Sequence, residues 1–217
     1  AYVAVEYIET DGAFESPQNF NRVNVFGKYN AFINDTDRIS LTASHFTSSW
    51  DASGQVPERE IANGNITRFG AIDDTEGGFT SRTNFNVELN KTLDDASLVK
   101  ANVFCSHYSF ELYSNFTFFL EDVVNGDQIK QFEDRDIFGM NVQLSNIVNY
   151  GNVEATYTKG AGLRYDLIND IELSHTKNRS ETSEQIQLGD VKQTNMYAFF
   201  NADFEVGKFK ISPSVRL

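Results

Sequence analysis

Apolar and polar side chains alternate along most of this chain with the two-residue period of β-strands. The longest such run extends from Ser97 to Glu121 and contains no Gly, no Pro and no turn dipeptide. Strands of soluble proteins usually end within roughly 10 residues, whereas the strands of outer-membrane barrels alternate in this way and continue beyond the bilayer. The pattern therefore predicts an all-β protein that crosses a membrane.

Turn signals divide the sequence into about nine extended segments. These span approximately residues 1–10, 20–33, 38–50, 79–92, 97–121, 128–147, 153–175, 191–206 and 209–217. Short links rich in Asn, Asp and Gly follow every second segment, and the remaining links are longer, at 11–19, 51–78, 122–127 and 176–190. This alternation is typical of an antiparallel up-and-down meander in a membrane, with short periplasmic turns and longer extracellular loops.

Two interruptions of the alternation carry structural information. In the longest run the apolar parity changes between Cys105 and Tyr108, which predicts either a β-bulge or the point where the strand leaves the bilayer. Tyr197 and Phe199 interrupt an otherwise polar face, and we interpret them as part of an aromatic girdle or as side chains packed in the lumen.

The number of segments bears on whether the barrel is complete. Nine is odd, and bacterial single-chain barrels have an even number of strands. Because both termini also cut into strand-like sequence, we expect residues 1–217 to be part of a larger transmembrane β-barrel. A complete barrel of about eight or ten strands, serving as a structural or adhesive surface protein, is the alternative.

Composition and charge narrow the classes of partner. No stretch approaches the about 20 consecutive apolar residues of a transmembrane helix, and the mean hydropathy of -0.40 agrees with a barrel, whose apolar residues occupy every second position. The net charge of -13 argues against nucleic acid and anionic lipid as partners.

The single cysteine, Cys105, excludes an internal disulfide and is expected to be a packed thiol. No signal peptide is recognisable at the beginning of the sequence.

The sequence contains no recognisable catalytic or cofactor-binding motif. His45, His107 and His175 are far apart in sequence, and no Cys or carboxylate lies at a familiar zinc spacing from them. We therefore predict no enzyme activity and no cofactor, and we interpret the histidines as isolated polar strand residues.

The longest link, residues 51–78, is the best candidate for ligand binding, because binding residues favour loops carried by a rigid scaffold. Its beginning predicts a short helical turn from Pro57 to Ala62. Its aromatic, amide and charged side chains either contact a ligand or hold the loop together over the barrel mouth. These candidates are Trp50, Asp51, Gln55, Arg59, Arg68, Asp73 and Asp74. Asp73, Asp74 and the neighbouring Glu76 are also a possible calcium site, although a solvated turn is the alternative.

Two long strings of sequence resemble a known family. The strings are residues 49–59 with 68–78 and 81–84, and residues 112–122 with 125–129. They resemble, in the expected order, the barrel of TonB-dependent outer-membrane receptors, especially those of Bacteroidetes-type bacteria.

The resemblance implies a barrel of about 22 strands with an N-terminal plug. Such a receptor lies in the bacterial cell outer membrane, contacts its lipid and imports a scarce nutrient, namely a siderophore, cobalamin or a glycan, with energy relayed by TonB. We recognise no plug sequence, TonB-box-like segment or terminal aromatic closing strand here. We therefore expect a partial barrel over residues 1–217, with the TonB system acting through a plug elsewhere in the parent protein. A secreted β-sandwich that binds carbohydrate is the alternative function.

Overall fold

The computed structural model describes all 217 residues, which form β-strands and one short helix. The elements are β1 (Tyr2–Thr10), β2 (Phe20–Phe32), β3 (Arg38–Ala52), α1 (Glu58–Ala62), β4 (Glu76–Asp94), β5 (Ser97–Ser114), β6 (Ile129–Tyr150), β7 (Val153–Lys177), β8 (Glu181–Val206), β9 (Phe209–Ile211) and β10 (Ser214–Arg216). No helix is long enough and apolar enough to span a membrane.

The strands form a single antiparallel sheet in which sequence neighbours pair from β1 to β8, and both β9 and β10 pair with β8. The predicted all-β meander is therefore confirmed. The β-sandwich is wrong as a fold, because the chain has one sheet and not two packed sheets. A small closed barrel is also wrong, because β1 pairs with β2 and with no other strand.

The long run predicted for residues 97–121 ends earlier than expected, since β5 stops at Ser114. The next residue, Asn115, is 2% exposed, and its Oδ1 accepts a hydrogen bond from the backbone N–H of Phe118 at 2.8 Å. Phe118 has φ of 63°, in the left-handed region that is uncommon for a non-glycine residue. The local Asn hydrogen bond therefore turns the chain out of the sheet, although the apolar alternation continues.

The predicted loop over residues 176–190 is also wrong, because β7 and β8 continue as a paired hairpin to Lys177 and Glu181. The turn, Lys177–Ser180, has positive φ at Asn178 (51°) and Arg179 (58°), and the Ser180 N–H donates to the Lys177 carbonyl at 3.0 Å. Positive φ at both central residues of the turn matches the twist of paired strands, and Ser180 is an additional residue before Glu181, the partner of Lys177. We call Lys177–Ser180 the hairpin tip.

The predicted ninth strand is interrupted near its middle, between β9 and β10. Pro213 lies in the gap and has no backbone N–H to donate, but its carbonyl accepts a hydrogen bond from Ala202 of β8 at 3.0 Å. The chain therefore stays against β8 on both sides of the interruption.

The pairing register separates an apolar face from a polar face. Leu41, Val87, Val103, Met140 and Leu163 occupy one row across five strands, since each lies directly opposite the next. Most of these side chains are exposed, and the rows on either side of them are also apolar. We call this the outer face, because an exposed apolar band is suited to contact lipid, and we call the opposite face the inner face.

The parity change in β5 is a change of environment and not a bulge. β5 pairs with β6 without a register shift along its whole length, and with β4 without one between Cys105 and Tyr108. On the outer face the row after Cys105 is polar: His107 lies opposite Thr83 and Asp136, and its Nδ1 is 2.9 Å from Asp136 Oδ1. The row of His107 therefore marks the upper edge of the apolar band.

The inner face is polar and contains a chain of asparagine side chains. Asn141 Nδ2 donates to Asn102 Oδ1 at 3.0 Å, and Asn102 Nδ2 donates to Asn86 Oδ1 at 3.0 Å. Tyr197 lies opposite Gly162, where a Cβ atom would overlap its ring, and its hydroxyl donates to Asn141 Oδ1 at 2.5 Å. Tyr197 therefore packs on the inner face and does not belong to an aromatic girdle, and the same is true of Phe199 over Gly160.

Candidate functional site

Three connections meet at one end of the sheet around the side-chain amide of Gln128, which is 1% exposed. Its Nε2 donates to Asp73 Oδ2 at 3.1 Å and to Thr75 Oγ1 at 2.8 Å. Its Oε1 accepts from the Arg179 backbone N–H at 2.9 Å and from the Thr176 hydroxyl at 3.1 Å. Because an amide has two N–H donors and two acceptor lone pairs, its hydrogen-bonding capacity is filled. Gln128 therefore joins the β3–β4, β5–β6 and β7–β8 connections.

Asp73, which is half-buried, is the second member of this network. Its Oδ1 accepts from the backbone N–H and the hydroxyl of Thr75, at 3.0 and 2.5 Å, and its Oδ2 accepts from Asn115 Nδ2 at 2.9 Å. With the Gln128 amide, four donors surround this carboxylate. Asp73 is thus an anchor for the loops, and no group of three His, Cys, Asp or Glu side chains is arranged to hold a metal ion.

Arg179 of the hairpin tip reaches across the sheet to the ends of β3, β4 and β5. Its Nη1 lies 2.8 Å from Asp51 Oδ1, and its guanidinium carbon lies 5.7 Å from the centre of the Tyr113 ring. The same guanidinium donates to the backbone carbonyls of Thr75 and Glu76. A non-glycine residue with positive φ is strained unless its surroundings hold it, and these contacts do so.

Glu76 lies beneath the network and is 6% exposed. Its Oε1 has no hydrogen-bond partner. Burial raises the pKa of this carboxyl above its ordinary value, the Asn115 backbone N–H lowers it, and the charge of Asp73 raises it again. The protonated form of Glu76 is therefore favoured more than that of an exposed glutamate.

Asp127 organises the β5–β6 connection. Its carboxylate accepts hydrogen bonds from the backbone N–H groups of Leu120, Glu121 and Asp122, at distances between 2.8 and 3.2 Å. Desolvation opposes ionisation here, but these N–H groups hold the pKa of Asp127 below its ordinary value. The compact loop presents exposed apolar side chains to solvent, namely Phe116, Phe119, Leu120, Val123 and Val124.

The seven predicted contact residues do not form one site. Trp50 and Asp51 line an open cavity of about 500 Å³, which we call the Trp50 cavity. Arg59 lines a second cavity, of about 610 Å³, between α1 and the β5–β6 loop, which we call the Phe116 cavity. α1 itself begins directly after Pro57, as the sequence predicts.

The other predicted residues are divided between the network and the loop surface. Asp73 is in the network, whereas Gln55, Arg68 and Asp74 are exposed and make no side-chain hydrogen bond. The role of all seven as ligand contacts stays a prediction.

Sequence reasoning missed Gln128 and Arg179, the two side chains that bring these connections together. The alternation predicts Gln128 at the start of a strand, and the turn signals predict Arg179 within a loop. A signal for the hairpin did exist, because Ile186 and Leu188 alternate with polar residues. Nothing local indicated which distant groups Gln128 would bind.

The sequence has no match among protein-family models or curated proteins. Solved structures do match the fold. The ferric citrate transporter FecA in its unliganded form is 10% identical to this chain, with a TM-score of 0.79. The match covers 99% of this chain and 31% of the transporter. The siderophore receptor PiuA from Acinetobacter baumannii is 10% identical with a TM-score of 0.70, and the match covers 99% of this chain and 37% of PiuA. The ferric-catecholate import receptor Fiu from E. coli K12 is 10% identical with a TM-score of 0.67, and the match covers 99% of this chain and 39% of Fiu.

The chain therefore spans only 31–39% of the length of these three structures. At such low identity the match concerns the fold, and it confirms the receptor fold recognised from the sequence strings. Residues 1–217 have the fold of the barrel wall of TonB-dependent outer-membrane receptors.

Proposed function

We propose that this chain is a section of the barrel wall and extracellular loops of an outer-membrane import receptor energised through TonB. One observation carries the proposal: the two ends of the sheet differ. Tight turns such as Asp94–Ser97 close one end, whereas three connections are tied together by Gln128 at the other. A receptor needs ordered extracellular loops for its ligand, and short turns suffice at the periplasmic end.

The neighbours favour an iron complex among the three nutrient classes considered above. They are named as a ferric citrate transporter, a ferric-catecholate import receptor and a siderophore receptor. Ferric citrate and ferric catecholates are anionic, and guanidinium groups are suited to bind anions. Arg59 and Arg68 are exposed on the β3–β4 connection, and the Arg59 side chain is 76% accessible. We therefore propose these two residues as contacts for an anionic iron chelate.

A plug and TonB are the remaining partners of the proposed receptor. The inner face presents amide side chains, of which Asn86, Asn102 and Asn141 form a hydrogen-bonded chain. Such a surface is suited to contact a hydrated polar domain rather than lipid. The proposal therefore places the plug of the parent receptor against this face.

Uptake by cells tests the proposal. The receptor containing residues 1–217 is expressed in a Gram-negative host without its own receptors, with and without TonB, and labelled ferric citrate, a ferric catecholate, cyanocobalamin and maltoheptaose are supplied separately. We expect one iron complex to accumulate only when the receptor and TonB are both present. The double variant Arg59→Ala, Arg68→Ala should reduce uptake, and Arg38→Ala, at the opposite end of β3, should not. Uptake of none of the four probes would refute the proposed function.

A further inference from the structure

The Trp50 cavity opens on the outer face of the sheet. Asn21, Ser49, Phe79 and Glu111 lie directly opposite one another on β2, β3, β4 and β5, and all four line it. The pairing is continuous from this row to the apolar band, so these residues share the band's face. Glu111 is four residues beyond His107, which places the cavity about 13 Å above the edge of the band. The cavity is thus separate from the inner face, along which the nutrient of a barrel receptor would pass.

The cavity combines aromatic rings with polar atoms that lack partners in the protein. Phe79 and Tyr113 line it on the outer face, and the Tyr113 hydroxyl makes no hydrogen bond. Trp50 alternates with Ser49 and Asp51 on β3, so it borders the cavity from the other face of the sheet, where its ring lies over Gly78. Asn19 and Asn21 donate through Nδ2 to Asp51 at 2.8 Å and to Ser49 at 2.7 Å, which leaves both Oδ1 atoms available as acceptors. The cavity therefore offers a ligand both donors and acceptors beside apolar rings.

The charges around the cavity are paired. Asp51 forms an ion pair with Arg179 at 2.8 Å, and Glu111 lies 3.7 Å from Lys130. An anionic or a cationic ligand would have to compete with one of these pairs, whereas a neutral ligand would leave both intact. The charge pattern therefore favours a neutral, hydrogen-bonding ligand.

We propose that the Trp50 cavity binds a neutral saccharide. Sugar rings have C–H faces that stack on aromatic side chains, and hydroxyl groups that both donate and accept hydrogen bonds. The volume of about 500 Å³ lies within the usual range for small-ligand pockets. Because the cavity faces outward above the apolar band, the saccharide is either a free oligosaccharide or the head of an outer-leaflet glycolipid. This proposal does not depend on the identity of the imported nutrient.

Trp50 is the only tryptophan of the chain and borders this cavity, so its fluorescence reports on ligand binding next to it. The protein in micelles of lauryldimethylamine oxide, a detergent without a sugar head, is titrated with cellobiose, maltose and chitobiose. We expect at least one disaccharide to give a saturable change with a dissociation constant below about 10 mM. Asn21→Ala should weaken that binding at least fivefold. Asn24→Ala, the same change on the inner face of β2, should leave it unchanged.

The two sources of saccharide are separated in nanodiscs. Fluorescence is compared in discs containing lipopolysaccharide with a complete core and in discs containing lipid A alone. A difference that Asn21→Ala abolishes identifies the glycolipid, and a response to free disaccharides alone identifies the free saccharide. Absence of a saturable change with all three disaccharides and with both discs would overturn the proposal. An equal response of the wild type and Asn21→Ala would overturn it as well.

Discussion

Gln128→Glu is a nearly isosteric change that tests whether the buried amide holds the three connections together. It replaces the Nε2 group, which donates to Asp73 Oδ2 at 3.1 Å and to Thr75 Oγ1 at 2.8 Å, by an oxygen. Two carboxylates would then face each other at a position that is 1% exposed in the wild type. We expect the introduced carboxylic acid to keep its proton in the closed structure, because burial and the charge of Asp73 both disfavour its ionisation.

The coupling between proton binding and loop opening limits the free-energy cost of ionising the introduced carboxyl group. Burial raises the pKa of the introduced group in the closed structure, whereas an exposed Glu has a pKa of about 4.3. The ionisation part of the penalty is therefore absent below about pH 4.3 and grows by at most about 1.4 kcal/mol per pH unit above it. The neutral acid also has one O–H donor where the amide used two N–H donors, and this loss does not depend on pH. The ionisation cost can therefore be no larger than about 1 kcal/mol near pH 5 and about 4 kcal/mol near pH 7.5. We expect about 3 kcal/mol near pH 7.5, which is an increase of roughly 150-fold in local opening.

Hydrogen exchange of the Thr176 amide measures this opening, because its N–H donates to the Gln128 carbonyl at 2.8 Å. After correction for intrinsic rates, the acceleration of exchange by Gln128→Glu over the wild type should be at least roughly 30-fold larger near pH 7.5 than near pH 5, because only the ionisation part of the cost depends on pH. Gln131→Glu introduces the same charge at an exposed position of β6 and should change little. Unchanged exchange near pH 7.5, or an equal increase at both pH values, would refute the reasoning.

Three further substitutions test other parts of the structure. Val103→Arg places a charge in the apolar band and should lower the free energy of unfolding in lipid vesicles by about 2–4 kcal/mol, as measured by urea titration. A loss below about 0.5 kcal/mol would contradict a lipid contact. Because the pKa of Glu76 is raised, its ionised form opposes folding above its ordinary pKa, so Glu76→Gln should slow loop opening near pH 7.5 and have no effect near pH 4, as measured by hydrogen exchange. Gly139→Ala should lower stability by about 1–3 kcal/mol in the same urea titration, because the new methyl group meets the Phe104 ring. In a Phe104→Ala background, most of that loss should disappear. Gly189→Ala, in open space, should cost less than about 1 kcal/mol.

Local patterns predicted the faces and most of the strands correctly. Val103 lies on the apolar face and Asn102 on the polar face, because successive side chains of a strand point to opposite sides whatever lies beyond the sheet. The turn before β3 was equally readable, since Asn34 Oδ1 accepts from the backbone N–H of Thr36 at 3.0 Å and of Asp37 at 2.8 Å. Hydrogen bonds over two or three residues are properties of the local sequence.

The ends of β5 and of the β7–β8 hairpin were decided by contacts that local sequence does not contain. The alternation after Ser114 favoured a longer strand, but the Asn115 side chain, held by Asp73, turns the chain. The polar residues near Arg179 resembled a loop, yet the hairpin is held by carbonyls of Thr75 and Glu76 about a hundred positions earlier.

The sequence by itself therefore determined the class of fold, the apolar band and the tight turns at the end of the sheet opposite Gln128, because side-chain alternation and short-range hydrogen bonds depend on neighbouring residues only. The tertiary structure alone decided which loop residues meet. Gln128 reaches Asp73 across 55 positions, because pairing of β3 to β7 in register brings the connections to one end of the sheet. The candidate sites at that end exist only through this pairing.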